Sequence, residues 1–248
     1  MRILILGGTT EATMLANALA RNSAFAPVLS LAGRTQNPVL PSIPHRIGGF
    51  GGISGLRDHL VAQAFEAVID ATHPFASQMS AHAFAACQLA QIPLAIFTRP
   101  AWQRQNGDDW LEIDSITAAV AALGTAPRRV FLTHGRLQLA AFAQAPQHFY
   151  VVRTIDPPAN IAMLPRHRLI LARGPFTQEE ETELMWEAKI DVLVTKNSGG
   201  SATYGKIAAA RSLRVGIVML GRPPASAAIA FNSLQPVLDW LAAHHTAP

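Results

Sequence analysis

Short apolar segments alternate with helical segments along almost the whole chain, and this alternation limits the possible folds more than any other feature. It predicts β-α-β units around parallel sheets. The predicted strands of the first half are residues 2–6, 27–32, 67–71 and 94–98, with helices at 11–21, 55–64 and 75–90. Those of the second half are 129–133, 149–153, 168–172, 191–195 and 215–220, with helices at 136–144, 177–188, 203–212 and after Pro236. The sequence therefore predicts an α/β protein with two sheets.

The boundary between the two halves is predicted in the polar segment 99–109, which contains Pro, Asn and Gly. The expected domains are residues 1–108 and 109–248. In the second domain, Thr177 and Glu180 have the spacing of a capping box at a helix start. The five glutamates of that helix are expected to form a solvated face.

Charge and cysteine content narrow the function classes. Residues 125–248 carry 13 basic and 8 acidic side chains, whereas residues 1–124 carry 7 and 8. The basic residues are dispersed without interleaved aromatics, which argues against nucleic acid and favours a small polyanionic substrate. The single cysteine, Cys87, leaves no internal disulfide or cysteine-based metal site. No metal and no membrane association are expected, the predicted location is the cytoplasm, and a monomer is compatible with the sequence.

The turn after the first strand resembles a dinucleotide-binding fingerprint. The residues proposed to bind a cofactor there are Gly7, Gly8, Thr9, Thr10 and Glu11. Gly7 and Ala12 occupy the first and third fingerprint positions, but Thr9 replaces the second glycine. Its hydroxyl could donate a hydrogen bond to a phosphate oxygen instead. A plain β-α turn remains the alternative.

The end of the second strand carries no acidic residue to bind a ribose 2′-hydroxyl. Arg34 and Thr35 follow the strand instead. A cation and a hydroxyl at this position suit the extra phosphate of NADP. The sequence therefore predicts NADP(H) as the cofactor, with an ordinary surface arginine as the alternative.

Two further segments of the first half are candidate binding elements. The third strand ends in Thr72, His73 and Pro74, where Pro74 suits the first position of a helix. His73 is a candidate cofactor contact and proton donor, or else a structural histidine. The glycine-rich segment 48–52 contains Gly51 and Gly52, which could let backbone approach a flat ligand or could form a mobile loop.

The second half has three polar strand ends that are predicted to line one crevice. Lys196 and His134 are the candidate proton donors among them. The proposed substrate-binding residues are Thr133, His134, Gly135, Arg136, Arg173, Lys196, Asn197, Ser198, Gly199, Gly200 and Tyr204. Turn residues alone would explain the Asn, Ser and Gly composition. The added cations favour an anionic ligand.

Taken together, these segments resemble the precorrin-6A reductases of cobalamin biosynthesis. The motifs that carry the resemblance are ILGGTTEA, GGFGG, IDATHPFA, FLTHGR and VTKNSGG. The resemblance implies two Rossmann-like domains, each a mostly parallel sheet flanked by helices, with the active site in the cleft between them. It also implies NADPH-dependent reduction of one double bond of a polycarboxylate, tetrapyrrole-derived ring, giving precorrin-6B.

The chemistry expected is hydride transfer to a conjugated carbon with proton delivery to its neighbour. A Tyr-x-x-x-Lys pair is absent, because the chain's tyrosines are Tyr150 and Tyr204 and Lys206 is only two positions after the latter. His73, His134, Lys196 or water could supply the proton. The competing functions are a non-catalytic NADP-binding sensor and a reductase of another polyanionic small molecule.

Overall fold

The computed structural model describes residues 1–33, 38, 40–135 and 138–245. They form two compact units, one of Met1–Pro100 with the segment from Pro223 onward, and one of Ala101–Arg222. Elements are numbered along the chain. The first unit contains β1 (Arg2–Leu6), β2 (Ala26–Leu31), β3 (His45–Ile47), β4 (Ala67–Asp70), β5 (Leu94–Phe97) and β12 (Ile229–Phe231), with α1 (Thr10–Leu19), α2 (Gly52–Ala62), α3 (Ser77–Ala90) and α8 (Leu234–His245).

The second unit has the same kind of composition. It contains β6 (Trp110–Ile113), β7 (Arg129–Leu132), β8 (Phe149–Thr154), β9 (His167–Leu171), β10 (Val192–Lys196) and β11 (Gly216–Leu220), with α4 (Ile116–Ala122), α5 (Leu139–Phe142), α6 (Gln178–Glu187), α7 (Gly205–Leu213) and a short 3-10 turn (Ile161–Met163). The predicted α/β class with two parallel sheets is confirmed.

Each described sheet has six parallel strands, and those of the first sheet have the order found in dinucleotide-binding folds. The first sheet runs β3-β2-β1-β4-β5-β12 and the second runs β9-β8-β7-β10-β11-β6. In the first sheet the chain starts near the centre at β1, moves outward to β3, and then returns to build the other side. In the second sheet the chain starts at the edge strand β6, enters the centre at β7, moves outward to β9, and then returns through β10 to β11, which pairs with β6. The order reverses between β1 and β4 in the first sheet and between β7 and β10 in the second.

The edge strands correct the predicted domain boundaries. The chain leaves the first sheet after β5, and the last strand of that sheet is β12, which pairs with β5 through Ala230 and Ile96. Residues from Pro223 onward therefore belong to the first unit, and not to a continuous domain 109–248. Strands β3, β6 and β12 were not predicted, because they are short edge strands of three or four residues. A short, half-exposed edge strand carries too few apolar residues to be recognised from the sequence pattern.

Both faces of each sheet are covered, which explains the continuous apolar runs. In β1, Ile3 and Ile5 pack on one face with residues of α1 and α8. Leu4 and Leu6 pack on the opposite face with residues of α2 and α3. The central strands of the second sheet divide their side chains in the same way. Most buried polar groups of the strands therefore lie near the strand ends, next to the turns that follow them.

Helix α6 departs from the expected solvated face of glutamates. Thr177 and Glu180 form the predicted capping box. Glu181, however, is 0% exposed and accepts hydrogen bonds of 2.6 and 3.0 Å from both terminal nitrogens of Arg153. The Arg153 guanidinium also lies 3.7 Å from the ring centroid of Phe176. One glutamate of the helix is therefore a buried structural anion, and the expectation was wrong for it.

Glu181→Ala should lower the free energy of unfolding by about 3–5 kcal/mol, because it leaves the Arg153 charge buried and uncompensated. Glu187→Ala is the matched control, since Glu187 is exposed on the same helix. Its effect should stay within about 0.5 kcal/mol. Urea denaturation measures both values, and equal effects of the two substitutions would contradict the assigned role of the buried pair.

Candidate functional site

The turn after β1 and the turn after β4 lie side by side at the carboxyl edge of the first sheet. Strands β1 and β4 are paired in parallel, with Leu6 opposite Asp70. The residues that follow, Gly7 onward and Ala71 onward, therefore leave the sheet at the point where the strand order reverses. Ligands of open α/β sheets bind outside this edge. The expectation that His73 follows a strand neighbouring the first is confirmed.

The first turn combines a glycine-rich backbone with the start of a helix. A Cβ at Gly7 would lie 2.5 Å from Leu29 Cδ1 and 3.2 Å from Ala12 Cβ, so a larger residue here would have to displace the Leu29 side chain. Gly8 has a φ of +113°, and no atom of the described residues lies within 4 Å of where its Cβ would be. Helix α1 begins two residues later, so the N–H groups of its first turn, which have no carbonyl partner within the helix, lie beside this open backbone.

Thr9 has a structural role that the sequence did not reveal. Its hydroxyl accepts from the N–H of Ala12 at 3.2 Å and caps α1. The same hydroxyl donates to the carbonyl of Ala71 at 2.7 Å. A hydroxyl has one proton, so it does not donate to a phosphate in this conformation as had been suggested. Thr9 instead ties the turn after β1 to the turn after β4.

Glu11 and Thr10 lie at the start of α1. Thr10 is exposed, whereas the Glu11 carboxylate makes an ion pair with Arg99, with 2.6 Å between Oε2 and Nη1. Arg99 follows β5 and was not among the predicted site residues. Its only sequence signal is a cation just beyond the carboxyl end of a strand.

The turn after β4 is organised by Asp70, a buried carboxylate that was also missed. Asp70 accepts from the backbone N–H and the hydroxyl of Thr72 at 3.0 and 2.6 Å, and from the hydroxyl of Ser80 at 2.5 Å. Thr72, a predicted cofactor contact, is thereby held in a fixed orientation. The signal available in the sequence was an aspartate at the end of an otherwise apolar strand.

His73 and Pro74 occupy a tight turn ahead of α3. The N–H of Ala76 donates to the carbonyl of His73 at 2.7 Å, and α3 begins at Ser77. The prediction that Pro74 is the first helical residue was therefore wrong, because proline here fixes the turn. The Nδ1 atom of His73 accepts from the N–H of Phe75 at 3.2 Å. In a neutral imidazole with that hydrogen bond, Nε2 carries the proton.

The glycine-rich loop 48–52 has a defined conformation. Arg46 donates to the carbonyls of its first two glycines at 2.9 Å each, and its guanidinium lies 4.0 Å from the ring centroid of Phe50. Gly51 and Gly52 have φ values of +80° and +92° and lead into α2. These two candidate residues follow β3, at the outer side of the sheet edge.

The residues proposed to choose the cofactor, Arg34 and Thr35, lie outside the described part of the chain. The same holds for Arg136, one of the proposed substrate contacts. Gly33, with a φ of +72°, is the last described residue before the first of these. Their roles remain predictions.

We call the reversal of strand order between β1 and β4 the first switch point, and the reversal between β7 and β10 the second. At the second switch point, the ends of β7 and β10 lie side by side. The N–H of Thr133 donates to the carbonyl of Val194 at 3.1 Å. Thr133, His134 and Gly135 therefore lie next to the turn that begins at Lys196. Arg173 follows β9, and β8 separates that strand from β7. The structure thus brings two of the three predicted strand ends together, while the third lies farther along the sheet.

The turn 196–200 is held by two residues that were not predicted. The side chain of Asn197 accepts from the N–H of Trp102 at 2.8 Å and donates to the carbonyl of Trp102 at 3.0 Å. The Trp102 indole donates to the carbonyl of Gly200 at 2.7 Å. Arg222 donates to the carbonyls of Asn197 and Ser198 at 3.0 and 3.1 Å. These bonds fix the backbone around Lys196.

Tyr204 lies behind this turn, where its hydroxyl accepts from Arg211 at 2.7 Å. Lys206 is buried there: its ammonium donates to the carbonyl of Thr203 at 3.1 Å and lies 5.0 Å from the ring centroid of Trp102. Two cationic side chains, Lys196 and Lys206, therefore belong to the region around one turn.

Comparison with known proteins gives a consistent result over the whole length. A model of the family described as "Precorrin-6x reductase CbiJ/CobK" matches residues 2–242. The precorrin-6A reductase of Rhodobacter capsulatus is 47% identical over 247 residues, covering 100% of this chain and 98% of that protein. The precorrin-6A reductase of Mycobacterium tuberculosis strain H37Rv is 42% identical over 242 residues, covering 97% of each. The chain belongs to the precorrin-6x reductase family.

A solved structure supports the same assignment. The structure of a CobK precorrin-6A reductase has a TM-score of 0.94 and 47% identity to this chain, covering 100% of this chain and 98% of that one. As a member of the precorrin-6x reductase family, the protein is an oxidoreductase, and the resemblance found in the sequence motifs is confirmed. Among the residues described, no helix is both long and apolar enough to cross a lipid bilayer.

His134 is a buried titratable group at the second switch point of this reductase. The side chain is 4% exposed, and by hydrogen-bond geometry neither ring nitrogen has a partner among the described residues. Burial, followed by the charge of Lys196, lowers the pKa of His134 from 6.5 to about 3. The Val194 carbonyl acts in the opposite direction and raises this pKa, while the charge of Lys206 lowers it. The imidazole is therefore neutral at physiological pH.

This pKa makes the stability of the fold depend on pH. As the pH falls below 6.5, His134 becomes protonated in the unfolded chain, whereas in the folded chain it stays neutral down to about pH 3. The free energy of unfolding therefore decreases as the pH falls from 6.5 to about 3. The contribution is at most about 1.4 kcal/mol per pH unit. His134→Leu should therefore lose less stability than the unaltered protein between about pH 6.5 and about pH 4.5. Urea denaturation at several pH values measures this, with His45→Leu at an exposed position as control. Parallel curves would contradict the lowered pKa.

Proposed function

We propose that the protein catalyses the NADPH-dependent reduction of a double bond in the precorrin-6A macrocycle, giving precorrin-6B in cobalamin biosynthesis. The observation that carries this proposal is the similarity to named precorrin-6A reductases, at 47% identity over 247 residues. Relatives named cobalt-precorrin-6A reductase are less similar, with 26% identity over 196 residues for the one from Priestia megaterium. The metal-free substrate is therefore the proposed one. The proposed location of the enzyme is the cytoplasm.

The first switch point fits a dinucleotide. Gly8 provides open backbone at a positive φ, and the N–H groups at the start of α1 have no helical partners. Gly7, Gly8 and Thr10 would hold the pyrophosphate there, while Thr72 and His73 flank it from the turn after β4. Arg34 and Thr35 would bind the 2′-phosphate. When bound, NADPH supplies the hydride, and the protein supplies orientation and electrostatics.

Cofactor choice tests the proposed role of Arg34. Arg34→Ala should weaken the binding of NADPH by about tenfold or more and leave that of NADH nearly unchanged, because a charge-assisted contact to the 2′-phosphate is lost. Titration of the nicotinamide fluorescence measures both dissociation constants. If both cofactors lose affinity equally, Arg34 does not distinguish them.

The second switch point suits the ring carboxylates and the proton transfer. The ammonium of Lys196 stands at the end of β10 on a turn held by Trp102 and Arg222. Lys196 is therefore the proposed proton donor or carboxylate contact, beside Thr133 and Ser198. His134, with a pKa of about 3, is neutral and would act as a hydrogen-bond partner.

Lys196→Ala should lower kcat/KM by about ten- to a few hundred-fold, since a charge partner in a partly dry site contributes roughly 1.5–3 kcal/mol. Lys196→Arg separates two roles: partial recovery indicates electrostatic binding, whereas no recovery indicates a positioned proton donor. Arg168→Ala, at an exposed cation of the same unit, is the control and should have little effect. Full activity of the alanine variant with unchanged melting would contradict both roles.

The proposed reaction is tested directly with purified substrate. The protein is incubated with NADPH and either precorrin-6A or cobalt-precorrin-6A. The loss of nicotinamide absorbance is followed, and the product is analysed by mass spectrometry. A gain of two hydrogens by precorrin-6A supports the proposal. Binding of NADPH without its consumption would indicate a sensor, and turnover of a different polyanion would identify a reductase of another substrate.

A further inference from the structure

An ion pair crosses the carboxyl edge of the first sheet at the switch point. Glu11 is the second residue of α1, which follows β1, and Arg99 is the second residue after β5. Their Oε2 and Nη1 atoms are 2.6 Å apart. The two side chains are 15% and 17% exposed, so both charges are largely withdrawn from water.

The position of this pair follows from the strand order. Strand β4 lies between β1 and β5. Neighbouring strands are about 4.8 Å apart, so the pair spans about 10 Å of the sheet edge. It therefore joins segments that follow the strands on either side of β4, the strand that leads into the turn with Thr72 and His73.

A carboxylate at the start of α1 has two opposing effects. It interacts favourably with the positive end of the helix dipole and stabilises the helix. The same N–H groups are those proposed to hold a pyrophosphate, which is also anionic. In a partly buried site, like charges repel more strongly than in bulk water. An unneutralised Glu11 would therefore oppose cofactor binding.

We propose that Arg99 is a positioning residue for the cofactor. Its ion pair with Glu11 neutralises that carboxylate and directs it away from the phosphates, so that the helix start can accept an anion. The inference rests on the proposed NADPH-dependent function and adds a residue to the cofactor site that no motif of the sequence assigned.

The proposed role of the ion pair predicts whether each substitution weakens or strengthens NADPH binding. Arg99→Ala leaves the Glu11 carboxylate uncompensated and should weaken NADPH binding by about tenfold or more. Glu11→Gln removes the negative charge but keeps a hydrogen-bonding side chain, and should strengthen NADPH binding by roughly two- to tenfold. The double variant lacks both charges, so its dissociation constant should return to within about threefold of the unaltered protein.

The experiment is a double-mutant cycle on the full chain. The dissociation constant of NADPH is measured by nicotinamide fluorescence for the unaltered protein, both single variants and the double variant, at low and at high salt. Screening should reduce the differences at high salt. Melting temperatures without cofactor are recorded in parallel. Arg57→Ala is the matched control, because Arg57 forms an exposed 2.6 Å pair with Asp58 in the same unit.

A purely structural pair gives a different pattern. Both single variants would then melt earlier and bind more weakly, and Glu11→Gln would not rescue Arg99→Ala. That result would overturn the inference while NADPH binding by the unaltered protein still supported the proposed function. If the unaltered protein itself bound neither NADPH nor NADH, the proposed function would fail, and the inference with it.

Discussion

The arrangement of the candidate site depends on one constraint, the reversal of strand order within a sheet that is buried on both faces. Because helices cover both faces, polar groups can gather only at the strand ends. Because the strands are parallel, the ends that follow β1 and β4 meet at one edge, and those that follow β7 and β10 meet at another. The loops leave in opposite directions at each reversal and expose the backbone between them.

Most polar side chains at these edges shape the protein backbone. Thr9 connects two neighbouring turns, Asp70 fixes Thr72, and Asn197 pairs with both backbone groups of Trp102. A turn held in this way presents its N–H groups and its few charged side chains in a fixed geometry. Preorganisation of this kind is what a protein contributes when the reactive chemistry belongs to a cofactor.

Charges buried near the sheet edges are balanced in different ways. Glu181 is paired with Arg153, and Glu11 with Arg99. His134 avoids charge altogether, because burial and the ammonium of Lys196 favour its neutral form. In the low dielectric of the interior, each solution avoids an isolated charge that water would otherwise have to solvate.

The sequence by itself determined the α/β class, the central strands and the family, and it proposed the segments of the candidate site. These features are local: buried parallel strands are continuous apolar runs, and the turns have glycines and hydroxyls at fixed positions. Only the tertiary structure decided that the segment from Pro223 joins the first unit, that Glu181 is buried, and that Trp102, Arg222 and Arg99 support the site. Each of these depends on a partner distant in the chain. Edge-strand pairing, ion pairing and hydrogen bonding between distant segments leave no periodic pattern in a single sequence.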